Sequence, residues 1–269
     1  MRSFLLKKSS FVFIAALFLL VITASTLMNN EIFIKTDPAD RAISDTQRNE
    51  NFSSVIDLNR KMLGNIPEYG DKYCSGYIST QKDYGLHKRI LSELQTLSDE
   101  ICTGAETDYD KILKLEYWVA DNIYYNHLAA ETAVTQEVIS LETVLETQTT
   151  TCAGYSNLFS ALCNMQDIYC VNLRGGTYSR EDTPERLMEA PMNHEWNAVL
   201  LDGQWIFIDT TWLSNNSYTA EDGYVHSDTM DEQYFHMTLE YMSYEHRIDI
   251  ADYRDFKSSV NIFKIVEDN

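Results

Sequence analysis

The stretch TTTCAGYSNLFSALCNM, residues 149–165, sets a cysteine directly after three threonines, where an apolar helical pattern begins. Tyr155, Leu158, Phe159 and Leu162 recur at spacings of three and four, which reads as one inward helix face. Thr150 or Thr151 is placed to cap that helix, so Cys152 falls in its first turn. Backbone N–H groups at a helix start lack intrahelical acceptors and carry partial positive charge, and a thiol there shifts toward thiolate. The same amides can hold a developing oxyanion. Cys152 is therefore the candidate nucleophile. Around it, Gly154 either admits a substrate closely or serves helix–sheet packing. Tyr155 is either a substrate contact or core, and Gln148, four residues before the cysteine, is a candidate second oxyanion donor.

A thiolate needs a base and an orienting group. His194 opens HEWNAVLL (194–201) and Asp209 lies late in QWIFIDTTW (204–212), two segments rich in aromatic and β-branched residues. Asp202-Gly203 between them is a hairpin signal, so the strands run antiparallel and His194 and Asp209, at similar distances from the turn, become neighbours. YCVNLRGG (169–176) reads as a further strand. Upstream, Leu86, Ile90, Leu94, Leu97 and Ile101 make one helix face. Thr107 and Asp110 form an imperfect capping box ahead of a second, with Ile112, Leu115, Val119 and Ile123. A third helical stretch runs from about Thr135 to Glu146. Helices followed by antiparallel strands imply an α+β fold, with the nucleophile at a helix N-terminus packed on an antiparallel sheet. Gly176 to Asn193, with Pro184 and Pro191, reads as a long loop or irregular helix.

Three blocks carry a resemblance: YDKILKLEYWVADNIYYN (109–126), TCAGYSNLFSALC (151–163) and NHEWNAVLLDGQWIFIDTTW (193–212). In order and spacing they resemble the transglutaminase-like superfamily over about residues 106–213. That resemblance implies a papain-like core and a Cys-His-Asp triad of Cys152, His194 and Asp209. YFHMTLEYMSYEHR (234–247) resembles the tail of bacterial members. Thr151 departs from the apolar or small residue that many members carry before the cysteine. The substrate is not inherited, because the family holds transamidases, peptidases, other amidases and catalytically silent proteins. The expected function is an exported cysteine-dependent amide-bond hydrolase or peptidase acting through a thioester. The alternatives are a transamidase crosslinking glutamine side chains to amines, and a non-catalytic surface-binding module on the same fold.

Charge and cysteine usage bound the setting. The 269-residue chain has a net charge of −20, which repels nucleic acid and anionic lipid, and the resemblance implies a protein or peptide substrate as partner. Arg2, Lys7 and Lys8 precede an apolar run from Phe11 to Met28, which reads as an export signal, cleaved or kept as an anchor, over residues 1–30. Residues 31–55 read as a linker, 56–105 as an N-terminal helical region, 106–213 as the catalytic core and 214–269 as an extension packed on it. Of five cysteines, Cys163 and Cys170 read as core, and Cys74 and Cys102 either form a disulfide, as an exported chain allows, or stay as thiols. His87, His127, His226, His236 and His246 read as surface or core histidines. No zinc-helix spacing or close cysteine pair occurs, so neither metal nor cofactor is expected. Trp196, Trp205 and Trp212 either shelter the Cys152–His194 pair or pack in the core, and Trp196 is also a candidate substrate contact. Glu195, on the opposite strand face from His194, is expected in solvent.

Overall fold

The hairpin is where local chemistry decides most. In a computed structural model that describes residues 48–66, 84–178 and 183–252, Asp202 (φ 51°) and Gly203 (φ 78°) both take left-handed backbone, as a two-residue primed turn demands. The chain divides into two units, residues 1–50 and 51–269. Of the first, only residues 48–50 are described, as helix. The expected export segment, most of the expected linker and Cys74 lie outside the described residues; Cys102, the other half of the candidate disulfide, is a free, buried cysteine.

In the second unit, α1 (Ser53–Leu63) begins inside the stretch expected to be linker. α2 (Tyr84–Ile101) and α3 (Asp108–Asn122) follow. The capping box of α3 is complete: Asp110 N–H donates to Thr107 Oγ1 at 3.1 Å and Thr107 N–H to Asp110 Oδ2 at 2.9 Å. Next come β1 (Tyr124–Asn126), α4 (His127–Thr132) and α5 (Leu141–Thr147), so helix occupies only the last part of the stretch expected from Thr135. β2 (Thr149–Thr150) leads directly into α6 (Cys152–Met165). β3 (Cys170–Thr177), α7 (Pro184–Glu189), β4 (His194–Leu201), β5 (Gln204–Ile208) and α8 (Thr210–Leu213) complete the region of the motifs. The expected loop from Gly176 thus includes the end of β3 and a short helix with proline at its start. Beyond lie β6 (Ser217–Thr219), β7 (Gly223–Val225), α9 (Leu239–Met242) and β8 (His246–Asp252).

The main sheet has the order β5-β4-β3-β8 and is antiparallel throughout, so the fold is α+β as expected. A smaller sheet, β2-β1-β6-β7, is mixed: β1 runs parallel to β2 and to β6. α6 is central: every residue from Ala153 to Asn164 is buried, against α2 and α3 on one side and β3 and β4 on the other. The expected stripe is real, but the opposite face is buried too, and it carries Ser156, Asn157 and Ser160 instead of charge. Burial of Leu158, Phe159 and Leu162 contributes about 1.5–3 kcal/mol each. The polar face locks the helix to β4: Ser156 Oγ donates to the Trp196 carbonyl at 3.0 Å, and Asn197 Nδ2 donates to the Ser156 carbonyl at 3.1 Å. Cys163 and Cys170 are fully buried.

β8 pairs with β3 along one edge. Its other edge meets α1, where the buried Asn59 donates to the His246 carbonyl at 2.8 Å and accepts from Ile248 N–H at 2.6 Å. One side-chain amide thus satisfies two main-chain groups that an edge strand would otherwise leave unpaired.

Candidate active site

Cys152 is the first residue of α6, and β2 fixes the approach to it. Tyr124 N–H donates to the Gln148 carbonyl at 2.8 Å, and Tyr124 and Tyr125 lie opposite Thr149 and Thr150. Neither threonine caps the helix, contrary to the expectation. Thr151 occupies the cap position without a side-chain bond, and Thr150 Oγ1 donates instead to the Val138 carbonyl at 2.8 Å. Strand pairing sets where Thr150 points, and the Thr151 hydroxyl is buried without a hydrogen-bond partner among the described residues. The consequence is chemical: the first-turn amides have no threonine hydroxyl in front of them. Cys152 itself is half-buried, unlike the fully buried Cys163 and Cys170.

His194 Nε2 lies 2.7 Å from Asp209 Oδ2, across the end of the β4–β5 hairpin. Asp209 is fully buried and His194 is 7% exposed. As an ionised carboxylate accepts only, Nε2 donates, and Nδ1 is the ring nitrogen left to act on the Cys152 thiol, which influences His194 electrostatically. Burial disfavours charge on His194. The Asp209 charge and hydrogen bond, together with Cys152, outweigh it and push the imidazole up to about 10. Burial likewise opposes charge on Asp209, but His194 and then His246 hold its carboxyl well below the usual carboxylate range. Asp209 has a second task as the cap of α8: Oδ1 accepts from Thr211 and Trp212 N–H, both at 3.0 Å.

Aromatic rings enclose the imidazole. Trp212 stacks on His194 with centroids 5.0 Å apart, and Trp196 stacks at 6.0 Å. Trp205 is not part of this enclosure; it packs on Tyr169 at 5.6 Å. On the thiol side sits Tyr125, whose hydroxyl is pushed up by burial and by the Cys152 charge.

Several sequence readings are corrected. Tyr155 is fully buried and donates its hydroxyl to the Ile123 carbonyl at 2.7 Å, so it is core and not a substrate contact. Gly154 does not open a path to substrate; a Cβ there would meet Thr150 Oγ1 at 1.8 Å. Trp196 is buried and touches the imidazole ring, not the surface. Gln148 is exposed, in left-handed backbone (φ 57°) on the turn between α5 and β2. Glu195 is not solvated: it pairs with Arg174 at 3.0 Å across β3–β4, because Arg174 stands directly opposite it in the register.

Two of the histidines expected at the surface or satisfied in the core are paired with buried acids. His236 Nε2 lies 3.0 Å from the fully buried Glu116 on α3. His246, the first residue of β8, is fully buried with Nε2 3.1 Å from Asp209 Oδ2. His194, Asp209 and His246 therefore present three metal-ligand atoms within 4.8 Å of one another. The hydrogen bonds on the shared Asp209 oxygen account for that clustering. Nothing in the spacing around residue 246 could have placed it here, because its position depends on the pairing of β8 with β3.

Residues 95–210 match the model of the transglutaminase-like superfamily. Kyphoscoliosis peptidase from Homo sapiens is 28% identical over 131 residues, 49% of this chain and 20% of that protein. The Lim and transglutaminase domain protein ltd-1 from Caenorhabditis elegans is 23% identical over 179 residues, 63% of this chain and 24% of that protein. The chain thus spans about a fifth to a quarter of the length of these relatives. A solved structure of a TGase superposes with a TM-score of 0.39 at 17% identity, covering 66% of this chain and 42% of that one.

Proposed function

Residues 95–210 belong to the transglutaminase-like superfamily, and from that premise we propose that the chain is a cysteine-dependent amide-bond hydrolase or peptidase. The observation that carries the reading is one connected path: a half-buried Cys152 at an uncapped helix start, electrostatically coupled to His194, which is bonded to a buried Asp209. Free Cys is commonly buried and inert, and Cys163 and Cys170 are of that kind. Cys152 differs in exposure, helix position and partner.

In this mechanism the Cys152 thiolate attacks the amide carbonyl carbon, and the carbonyl oxygen takes up the negative charge near the first-turn amides of α6. The C–N bond breaks as the His194 imidazolium donates its proton to the leaving amine. Asp209 holds the ring with Nε2–H directed at itself, which keeps the other nitrogen on the thiol and favours the imidazolium. His194, now neutral, removes a proton from water, which attacks the thioester, and the thiolate is regenerated. Residues 1–30 are proposed to export the domain, so the substrate is a protein or peptide outside the membrane or at the cell surface.

The test is brief iodoacetamide treatment near neutral pH, read by intact mass and peptide mapping. One rapid adduct, absent in Cys152→Ala and slowed in His194→Ala, is expected. Equal labelling in all three proteins would leave the binding-module reading in its place. A peptide amide substrate with and without added primary amine then separates hydrolysis from transamidation: free acid supports the hydrolase, and amine incorporation replaces it with a transamidase.

A further inference from the structure

We propose that His246 is a positioning residue of the site, holding the Asp209 carboxylate so that it presents one fixed oxygen to His194. This rests on the reading of Cys152, His194 and Asp209 as the reacting group. His246 is fully buried, and its Nε2 lies 3.1 Å from Oδ2 of Asp209, the oxygen to which His194 Nε2 donates at 2.7 Å. The other carboxylate oxygen is held by the amides of Thr211 and Trp212. Four donors thus converge on Asp209, two on each oxygen. Without His246, Oδ2 keeps a single donor, and the carboxylate loses one of the contacts that fix its plane.

Packing alone does not account for a histidine here. The ring is wedged against Trp196 at 4.8 Å and Trp212 at 4.7 Å between centroids, the two indoles that also stack on His194. An apolar ring would fill that space, and it would not bury the His246 Nδ1, which has no hydrogen-bond partner among the described residues. A buried unpartnered nitrogen is unfavourable, so the bond made by the opposite nitrogen must offset it, and that bond goes to Asp209. The main chain around His246 is held from both sides. Its partner in β3 is Thr177, and its carbonyl accepts from Asn59 on α1. The ring therefore approaches Asp209 from a strand that lies outside the matched residues 95–210.

The test uses the full chain with His246→Gln and His246→Phe. The glutamine Nε2 can donate to Asp209 where the histidine Nε2 does, and phenylalanine keeps the ring without the donor. Three quantities are read: the melting temperature, the rate of Cys152 alkylation, and the ultraviolet thiolate absorbance that Cys152→Ala removes. We expect His246→Phe to melt cooperatively yet alkylate about tenfold more slowly, with reduced thiolate absorbance, as loss of one hydrogen bond to a buried charge implies. His246→Gln should stay within about threefold of the parent. A folded His246→Phe that labels like the parent overturns the proposal, and so does a glutamine variant as slow as phenylalanine. Should His246→Phe fail to fold, the glutamine variant decides: near-parent labelling upholds the role, and tenfold loss at an unchanged melting temperature removes it. If Cys152 in the parent is no more reactive than a thiol in denatured chain, the proposed triad itself falls, which is a different outcome from a change confined to the His246 variants.

Discussion

Gly154 and Thr150 are packed so closely that a Cβ on the glycine would stand 1.8 Å from Thr150 Oγ1 and 2.7 Å from its Cβ. Thr150 cannot yield, being fully buried and bonded to the Val138 carbonyl. Gly154→Ala must therefore push the first turn of α6 away from β2, and Cys152 with it. The expected outcome is a loss of about 1–3 kcal/mol in stability, the usual range for overpacking, with slower alkylation of Cys152. An unchanged melting temperature and labelling rate would contradict the packing described.

Asp209→Asn should destabilise the protein in a pH-dependent way. His194 is raised from 6.5 to about 10, so its contribution is complete below pH 6.5 and lost as pH rises through about 10. Asp209 is lowered from 3.8, so its contribution is present above that value and lost as pH falls toward the depressed value. The gap in stability between parent and variant is therefore widest between those ordinary values and narrows on the alkaline side. Its maximum is about 3–5 kcal/mol, as for breaking a buried ion pair by removing one partner. Denaturant unfolding across pH measures it, and a gap constant from neutral to strongly alkaline pH would refute the assignment.

Glu116 gives the opposite sign. Desolvation raises its carboxyl from 4.5 to about 7, against the pull of His236. An acid that binds its proton more tightly when folded contributes fully below pH 4.5, and the advantage is lost as pH rises through about 7. Glu116→Gln should consequently raise the melting temperature more at alkaline than at acidic pH, on the order of 3 kcal/mol in the alkaline limit. Thermal melts of the two proteins on either side of neutrality check this.

Asn59→Ala removes both partners of the outer edge of β8 and leaves the His246 carbonyl and Ile248 N–H without them. A loss of about 1–3 kcal/mol is expected for orphaned buried main-chain groups. Hydrogen exchange should show the effect at Ile248 N–H first, and unaltered protection there would remove Asn59 from this role.

The features legible in the sequence are those fixed by neighbouring residues. Asp202-Gly203 makes its turn because both residues tolerate left-handed backbone, and that turn alone brings His194 beside Asp209. The α3 cap is legible for the same reason. What escaped depends on pairings between distant segments. Thr150 and Thr151 look like caps until β2 pairs with β1, and Glu195 looks solvated until the register sets it against Arg174. Tyr155 and Gly154 look available to substrate because a helix start is usually exposed, but this helix is covered on every side from Ala153 onward. His246 was hidden most deeply, since its place depends on β8 pairing with β3 across the whole intervening hairpin and extension, a pairing no local pattern announces. Trp205 and Trp212 are indistinguishable as sequence; only the exit of the chain into α8 after Asp209 turns Trp212 over His194.

The grip of Asn59 on His246 also has a consequence in time. The two residues are 187 positions apart, and closing so long a loop is among the slower steps available to a folding chain. A growing polypeptide holds Cys152, His194 and Asp209 well before β8 has been made. Until that last strand docks between β3 and α1, the oxygen facing His194 lacks its second donor. On the role proposed for His246, arming of the thiol is thereby deferred until this strand docks, and a half-made chain would be a poorer nucleophile toward its neighbours.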